Sequence, residues 1–228
     1  MLAHLGARST RRRVVSLKVD GGVPRVLSSA QIDAVLGSCV RLRDRFLFML
    51  LRDTGLRIGE ALGLRHGDLN ARRREVSVRF RENANGARAK TVDRTVPVPD
   101  ELLCLYSDYL HEEYGDLDSD YVFLTLWSKP VGVPLTYSAV HSLVGRLRAR
   151  SGVVFEPHFF RHTYATNLLR RGTPAEVVAK LLGHASVATT TGIYGHLSPD
   201  DLREALVAVG VLLPLGDDRR AVGQAPRW

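Results

Sequence analysis

A chain of 228 residues with 45% apolar content can bury one ordinary domain core, with room for tails. Its formal net charge of +8 and isoelectric point near 9.9 favour a polyanionic partner, nucleic acid first and an anionic membrane surface second. Two cysteines rule out a disulfide framework and a cysteine-rich metal set, and Cys39 and Cys104, both among apolar helical positions, read as buried thiols. The longest apolar run, Phe46 to Leu51, is too short to cross a bilayer, and the first 13 residues lack the apolar stretch of a signal peptide. The chain therefore reads as soluble and cytoplasmic, with no membrane partner.

Residues 1–25 carry basic and small residues without periodicity and read as a tail or linker. Ser28 with Gln31 forms a capping box that opens a helix through Leu36. Residues 41–53 predict a second helix with Leu42, Phe46, Met49 and Leu50 on one face and Gly55 as its stop. A short helix follows from Ile58 to Leu64. Glu75 to Phe80 alternates with period two, as a half-buried strand does. Asn83-Ala84-Asn85-Gly86 is turn chemistry, and Arg94 to Val98 predicts the returning strand. Helical pattern resumes over 100–114, Tyr121 to Leu124 predicts a short strand, and 136–150 predicts a helix with a basic end. Beyond Pro157 the chain reads as helical: His158 to Arg171, then a helix opened by Thr173-Pro174 and stopped at Gly183, then Asp201 to Val209. Residues 211–228 read as a disordered tail. The sum is an α+β, mainly α-helical domain over 26–210 with a small antiparallel β-sheet.

His158, Arg161 and His162 are spaced i, i+3, i+4 and share one helix face. Two histidines at that spacing also suit zinc, but Phe159 stands where a zinc protease has glutamate, and no Cys, Asp or Glu nearby offers an obvious third ligand. A polar helix end with satisfied side chains remains open. Arg57 follows a glycine stop and starts a helix, where its fork can meet a phosphate; pairing with Glu60, three residues on, is the simpler reading, and both hold if Glu60 orients it from behind. Lys90 near the hairpin tip can donate a proton, or can be a solvated turn lysine; Arg88 is a poor donor because of its high pKa. Tyr194 lies between Gly192 and Gly195 in a threonine-rich stretch, placed to swing as a nucleophile or to anchor in a core.

Four segments in order, TGLRIGEALGL at 54–64, HFFRHTYAT at 158–166, LLGH at 181–184 and TTTGIY at 189–194, together resemble the tyrosine recombinase (phage integrase) family. The ten-residue spacing from His184 to Tyr194 is similar to that of integrase-type transposases of mobile elements. The resemblance implies the catalytic-domain fold of that family and a strand-cutting and rejoining activity on double-stranded DNA. It implies that Arg57 and Arg161 clamp the scissile phosphate, that His158 assists proton transfer from the tyrosine, and that His184 bonds a phosphate oxygen. Lys90 would protonate the departing 5′ oxygen, and Tyr194 would form a 3′-phosphotyrosyl bond. Glu60 and His162 would support these groups from behind. No metal and no cofactor is implied. The family's separate core-binding domain is expected to be missing from the stretch before residue 26.

Two other readings stay open: a DNA-binding remnant without productive recombination, and a type IB topoisomerase-like relaxer. Leu202, Ala205, Leu206 and Val209 make an apolar stripe that either packs on its own domain or, as the resemblance implies, docks on a neighbouring protomer in a homo-oligomer on DNA.

Overall fold

Helix α1 (Ser29–Gly37) starts where the Ser28 hydroxyl accepts from the Gln31 N–H and the Gln31 side chain accepts from the Ser28 N–H, at 3.2 and 2.9 Å. This computed structural model describes residues 26–88, 93–183 and 199–214. The proposed tail over 1–25, the segment from 215 onward, and Lys90, His184 and Tyr194 lie outside the described residues.

Helix α2 (Leu42–Thr54) runs through the middle of the domain. Phe46, Leu47, Phe48, Leu50 and Leu51 are all fully buried, so its apolar surface is wider than the single face predicted, and it packs against α4 and α6, defined below. Its first turn has no local cap. The Glu113 carboxylate supplies one from a distance, accepting from the Leu42 and Arg43 N–H groups at 2.9 Å each. Gly55 ends the helix in the left-handed region at φ 61°. A Cβ at Gly55 would lie 2.6 Å from Tyr164 Cδ1 and 2.8 Å from Leu182 Cδ2, so two constraints demand glycine there.

Helix α3 (Ile58–Leu62) is followed by a 3₁₀ turn and a three-stranded antiparallel sheet in the order β1-β2-β3: β1 (Leu69–Asn70), β2 (Glu75–Val78) and β3 (Arg94–Pro97). The register pairs Val76 with Val96 and Val78 with Arg94. The strand predicted through Phe80 stops at Val78. Phe80 is 71% exposed, and its N–H turns to the Asp93 carboxylate at 2.7 Å. Strand β1 is two residues long, too short to show a period. Tyr121 to Leu124 is not a strand: its backbone makes isolated bridges, Tyr121 with Arg65 and Leu124 with Pro134. Val122, Phe123 and Leu124 are nevertheless fully buried, so the apolar run signalled burial and not a ladder.

Helix α4 (Asp100–Tyr109) continues through a π-helical turn, Leu110–Tyr114, which carries the capping Glu113. Helix α5 (Tyr137–Ser151) is capped by Thr136 and ends at left-handed Gly152. Helices α6 (Pro157–Arg170) and α7 (Ala175–Leu182) follow, the latter stopped by left-handed Gly183, and α8 (Pro199–Ala208) is the last described helix. The cysteines correct the expectation of two buried thiols: Cys39 is half-buried, and Cys104 is exposed on the solvent side of α4. Burial raises the Cys39 thiol to about 12, with Asp44 adding to the rise.

The core has two parts. The larger is built on α1, α2, α4 and α5, and the smaller joins Val96 of β3, Tyr164 and Leu168 of α6, Leu181 and Leu182 of α7, and Leu202, Leu206 and Leu212. Leu202 and Leu206 of α8 thus pack on their own domain. Arg203 between them is buried too, donating to the Arg73 and Arg74 carbonyls at 2.8 and 2.6 Å. Leu212 is 7% exposed, so packing extends past the expected boundary at 210. Leu206→Ala is expected to lower stability by about 2–5 kcal/mol, read from the urea midpoint. An unchanged midpoint would remove Leu206 from the core.

Candidate active site

Three chain segments converge where α2 and α7 end. Arg57 is the N-cap of α3 in extended conformation (φ −71°, ψ 148°). Glu60 at the third helical position folds back: its Oε2 accepts from the Arg57 N–H at 2.9 Å, and its Oε1 accepts from Arg57 Nη1 at 3.0 Å. The Glu60 side chain is fully buried, whereas that of Arg57 is 31% exposed. Glu60 therefore lies behind Arg57 and leaves part of the guanidinium open to solvent.

Arg161 comes from α6, whose first turn carries Pro157, where a missing N–H costs nothing. Its Nη1 donates to the Gly55 carbonyl at 2.8 Å and its Nη2 to the Leu182 carbonyl at 2.7 Å. These are carbonyls at the ends of α2 and α7, left without intrahelical partners and carrying the negative ends of the helix dipoles. Burial, then the charge of Arg57, lower Arg161 to about 10, and Glu60 opposes the shift. It stays charged at neutral pH.

Arg94 of β3 was read in the sequence only as part of a returning strand. Its Nη1 and Nη2 reach Glu60 Oε1 and Oε2 at 3.1 and 2.8 Å, and its Nε donates to the Leu181 carbonyl at 2.8 Å. The available signal was parity: Arg94 shares a strand face with the fully buried Val96, so a core-facing arginine called for a buried acid. Burial pushes the Glu60 carboxyl up, but hydrogen bonds and charge from Arg94, with Arg57 adding, outweigh it and hold Glu60 at about 2. Among the described residues, three guanidinium groups gather around one carboxylate, a local excess of positive charge suited to a dianionic phosphorane-like group.

His158 and His162 occupy the exposed side of α6 beside Arg161, with ring centroids 5.6 Å apart and planes at 84°. Arg161 itself turns inward, so the shared face presents the two imidazoles and not the guanidinium. Burial, then the charges of His158 and Arg161, lower the His162 pKa and favour its neutral ring at pH 7. Among the described residues, no group of three or more His, Cys, Asp or Glu side chains is gathered to hold a metal. The hydroxyl of Thr163 donates to the Phe159 carbonyl at 2.7 Å and accepts from the Leu27 N–H at 2.9 Å, which ties the incoming chain to α6. The structure therefore brings together Arg57, Glu60 and Arg161 with His158 and His162 alongside; Lys90, His184 and Tyr194 fall outside the described residues.

Residues 25–200 match the Phage integrase family, and the chain belongs to that family. It is 39% identical over 205 residues to transposase A from transposon Tn554 of Staphylococcus aureus (strain Mu50), an alignment covering 89% of this chain and 57% of the transposase. The chain therefore spans little more than half the length of that relative. It is 30% identical over 209 residues to tyrosine recombinase XerA of Pyrococcus furiosus, covering 91% of this chain and 69% of XerA. A crystal structure of XerA recombinase superposes with a TM-score of 0.61 at 30% identity, over 82% of this chain and 65% of that one. The mainly helical fold with a small antiparallel sheet is that of the family's catalytic domain.

Glu60→Gln leaves Arg94 buried beside a neutral amide and is expected to cost about 3–5 kcal/mol at pH 7. Glu60 falls from its ordinary 4.5 to about 2 in the folded chain, so its stabilisation is complete above pH 4.5 and is lost as pH falls toward 2. Urea midpoints of the two proteins should converge on acidification. Equal midpoints at pH 7 would show that the carboxylate does not hold the cluster.

Proposed function

We propose that residues 26–210 form the catalytic domain of a site-specific DNA recombinase that cuts and rejoins strands in DNA integration or transposition. The observation that carries this reading is a pair of arginines, Arg57 and Arg161, held in one cluster by buried acceptors while part of Arg57 stays open to solvent. Family membership supports it. So does the excess of positive charge, which suits a partner dominated by phosphate.

In this mechanism Arg57 and Arg161 bind the non-bridging oxygens of the scissile phosphate and stabilise the charge that builds at phosphorus. The Tyr194 oxygen attacks, and the bond from phosphorus to the 5′ oxygen breaks. His158 assists removal of the tyrosine proton, Lys90 supplies a proton to the departing 5′ oxygen, and His184 bonds a phosphate oxygen. The products are a 3′-phosphotyrosyl protein–DNA bond and a free 5′ hydroxyl. That bond keeps the energy of the original phosphodiester, so rejoining is the same step reversed and needs no ATP. The arginines take the charge-neutralising role that a metal ion has elsewhere, so no cofactor enters. Glu60 and His162 support these groups from behind.

The proposed partner is double-stranded DNA, bound as a homo-oligomer. We propose the C-terminal helix α8 as the contact between protomers; its Leu202 and Leu206 lie in the domain's own core, and Glu204 and Ala208 are exposed. The proposed place of work is on DNA in the cytoplasm; no described helix is long and apolar enough to cross a membrane.

The test is a nicked duplex that traps the covalent product, resolved on a denaturing gel, with duplexes drawn from the DNA flanking the gene. Tyr194→Phe is expected to abolish the adduct and leave DNA binding nearly unchanged. Arg161→Ala should slow adduct formation by about 10²–10³-fold, with a melting curve to separate this from the two carbonyls it also leaves unpaired. Wild-type activity should survive EDTA. An adduct on Tyr194→Phe, or a strict need for a divalent ion, would overturn the mechanism. DNA bound with no adduct would favour a binding remnant, and site-independent plasmid relaxation would favour a topoisomerase-like enzyme.

A further inference from the structure

The two phosphate-binding arginines do not touch one another's anchors directly. Arg57 is held by Glu60, and Arg161 by the carbonyls of Gly55 and Leu182. Arg94 joins the two arrangements. Its terminal nitrogens grip both oxygens of Glu60, and its Nε holds the carbonyl of Leu181, the residue next to Leu182. One side chain therefore ties the start of α3 to the end of α7 across β3. Its own side chain is only 5% exposed and all three of its guanidinium nitrogens donate within the protein, whereas among the described residues Arg161 donates through its two terminal nitrogens.

We propose that Arg94 is a positioning residue for strand cleavage, which sets Arg57 through Glu60 and Arg161 through the end of α7 without touching the phosphate itself. This rests on the recombinase reading above. The chemistry requires arginine in particular. A guanidinium offers two parallel donors for the carboxylate and a third on its edge for the carbonyl; a lysine ammonium on a flexible stem cannot hold both at once in a fixed geometry. The site therefore depends on a third arginine's shape as well as its charge. A displacement of about 1 Å at the clamp is enough to cost on the order of 10²-fold in rate.

Among the described residues, the charged groups facing Glu60 are Arg57 from the α2–α3 link, Arg94 from β3, and Arg161 from α6. With Arg94 removed, burial acts on the Glu60 carboxyl with one hydrogen-bonded arginine fewer, and its pKa should rise from about 2 toward the ordinary range. The change weakens the grip on Arg57 at the same time as the end of α7 is released.

The experiment compares Arg94→Gln, Arg94→Lys and the wild-type chain in four readouts: adduct rate on the nicked duplex, DNA affinity, the side-chain Nε–H signals of Arg57 and Arg161 in ¹⁵N NMR spectra, and ¹³C titration of the Glu60 carboxyl. Arg94→Gln is expected to slow cleavage about 100-fold with affinity changed by no more than about threefold, while the Nε–H signals of both arginines broaden or shift and most backbone amide signals stay. Arg94→Lys should fall between, since it restores the charge and not the three-point hold. A wild-type rate in Arg94→Lys would show that charge alone matters and overturn the proposal. So would unchanged Arg57 and Arg161 signals in Arg94→Gln. If Arg94→Gln fails to fold, the rate and side-chain signals of Arg94→Lys decide in the same way. If the wild-type chain forms no adduct at all, the recombinase reading fails, and the side-chain signals still report whether Arg94 positions the pair.

Discussion

A carboxylate taken fully out of water must be matched by positive charge and hydrogen bonds, or it takes up a proton. Glu60 meets that condition with Arg57 on one side and a two-pronged grip from Arg94 on the other. The rest of the site depends on this. The acid fixes the entry into α3, draws β3 against it, and concentrates guanidinium groups in one place that would otherwise repel each other. Its low pKa keeps the negative charge in place across any physiological pH, so the arrangement does not switch.

Backbone carbonyls do the remaining work. Gly55 O, Leu181 O and Leu182 O all belong to helix ends, where acceptors lack partners inside the helix. Left-handed glycines at 55 and 183 stop α2 and α7 so that these acceptors face Arg161 and Arg94. The same Gly55 brings the chain within contact of Tyr164 and Leu182, with no room for a side chain. Helix α2 can carry this load because it is packed on nearly every side, so its end is a fixed point. A phosphate approaching the site would then meet donors already oriented, and little reorganisation would be left for the reaction itself.

The basic character of the chain and the chemistry of the site serve different ends. On the proposed reading, net charge would draw DNA from a distance with a strength that falls with salt, whereas the arginine cluster would act within hydrogen-bond range and is shielded by burial. The exposed imidazoles of His158 and His162 border this buried cluster, so groups able to move protons sit at the edge of groups that only hold charge. Helix α8 adds to the scaffold: with Leu202, Arg203 and Leu206 buried, it closes the smaller core against β3 and α7, the two elements that position Arg94 and its carbonyl partner.

Local features were legible from the residues alone. The capping box at Ser28, the glycine stop at Gly55, the pairing of Arg57 with Glu60 three residues on, and the helix that carries His158, Arg161 and His162 all follow from short-range periodicity and end chemistry. Their ordered combination also pointed to the family. Strand parity marks Arg94 as core-facing but does not name its partners, which lie 34 and 87 residues away in the chain, so its place in the site was not legible. Tyr121 to Leu124 read as a strand because an apolar run looks alike whether it buries in a ladder or in an irregular segment. Cys104 read as buried because helical neighbours give a period but not its phase against the core. For the stripe on α8, amphipathicity showed that a face would be covered, and only tertiary packing showed that its own domain covers it. Sequence determined which side chains could do chemistry, since that is a property of residue type and short spacing. Tertiary structure decided how the arginines are held, because burial and long-range hydrogen bonds exist only once the chain has folded.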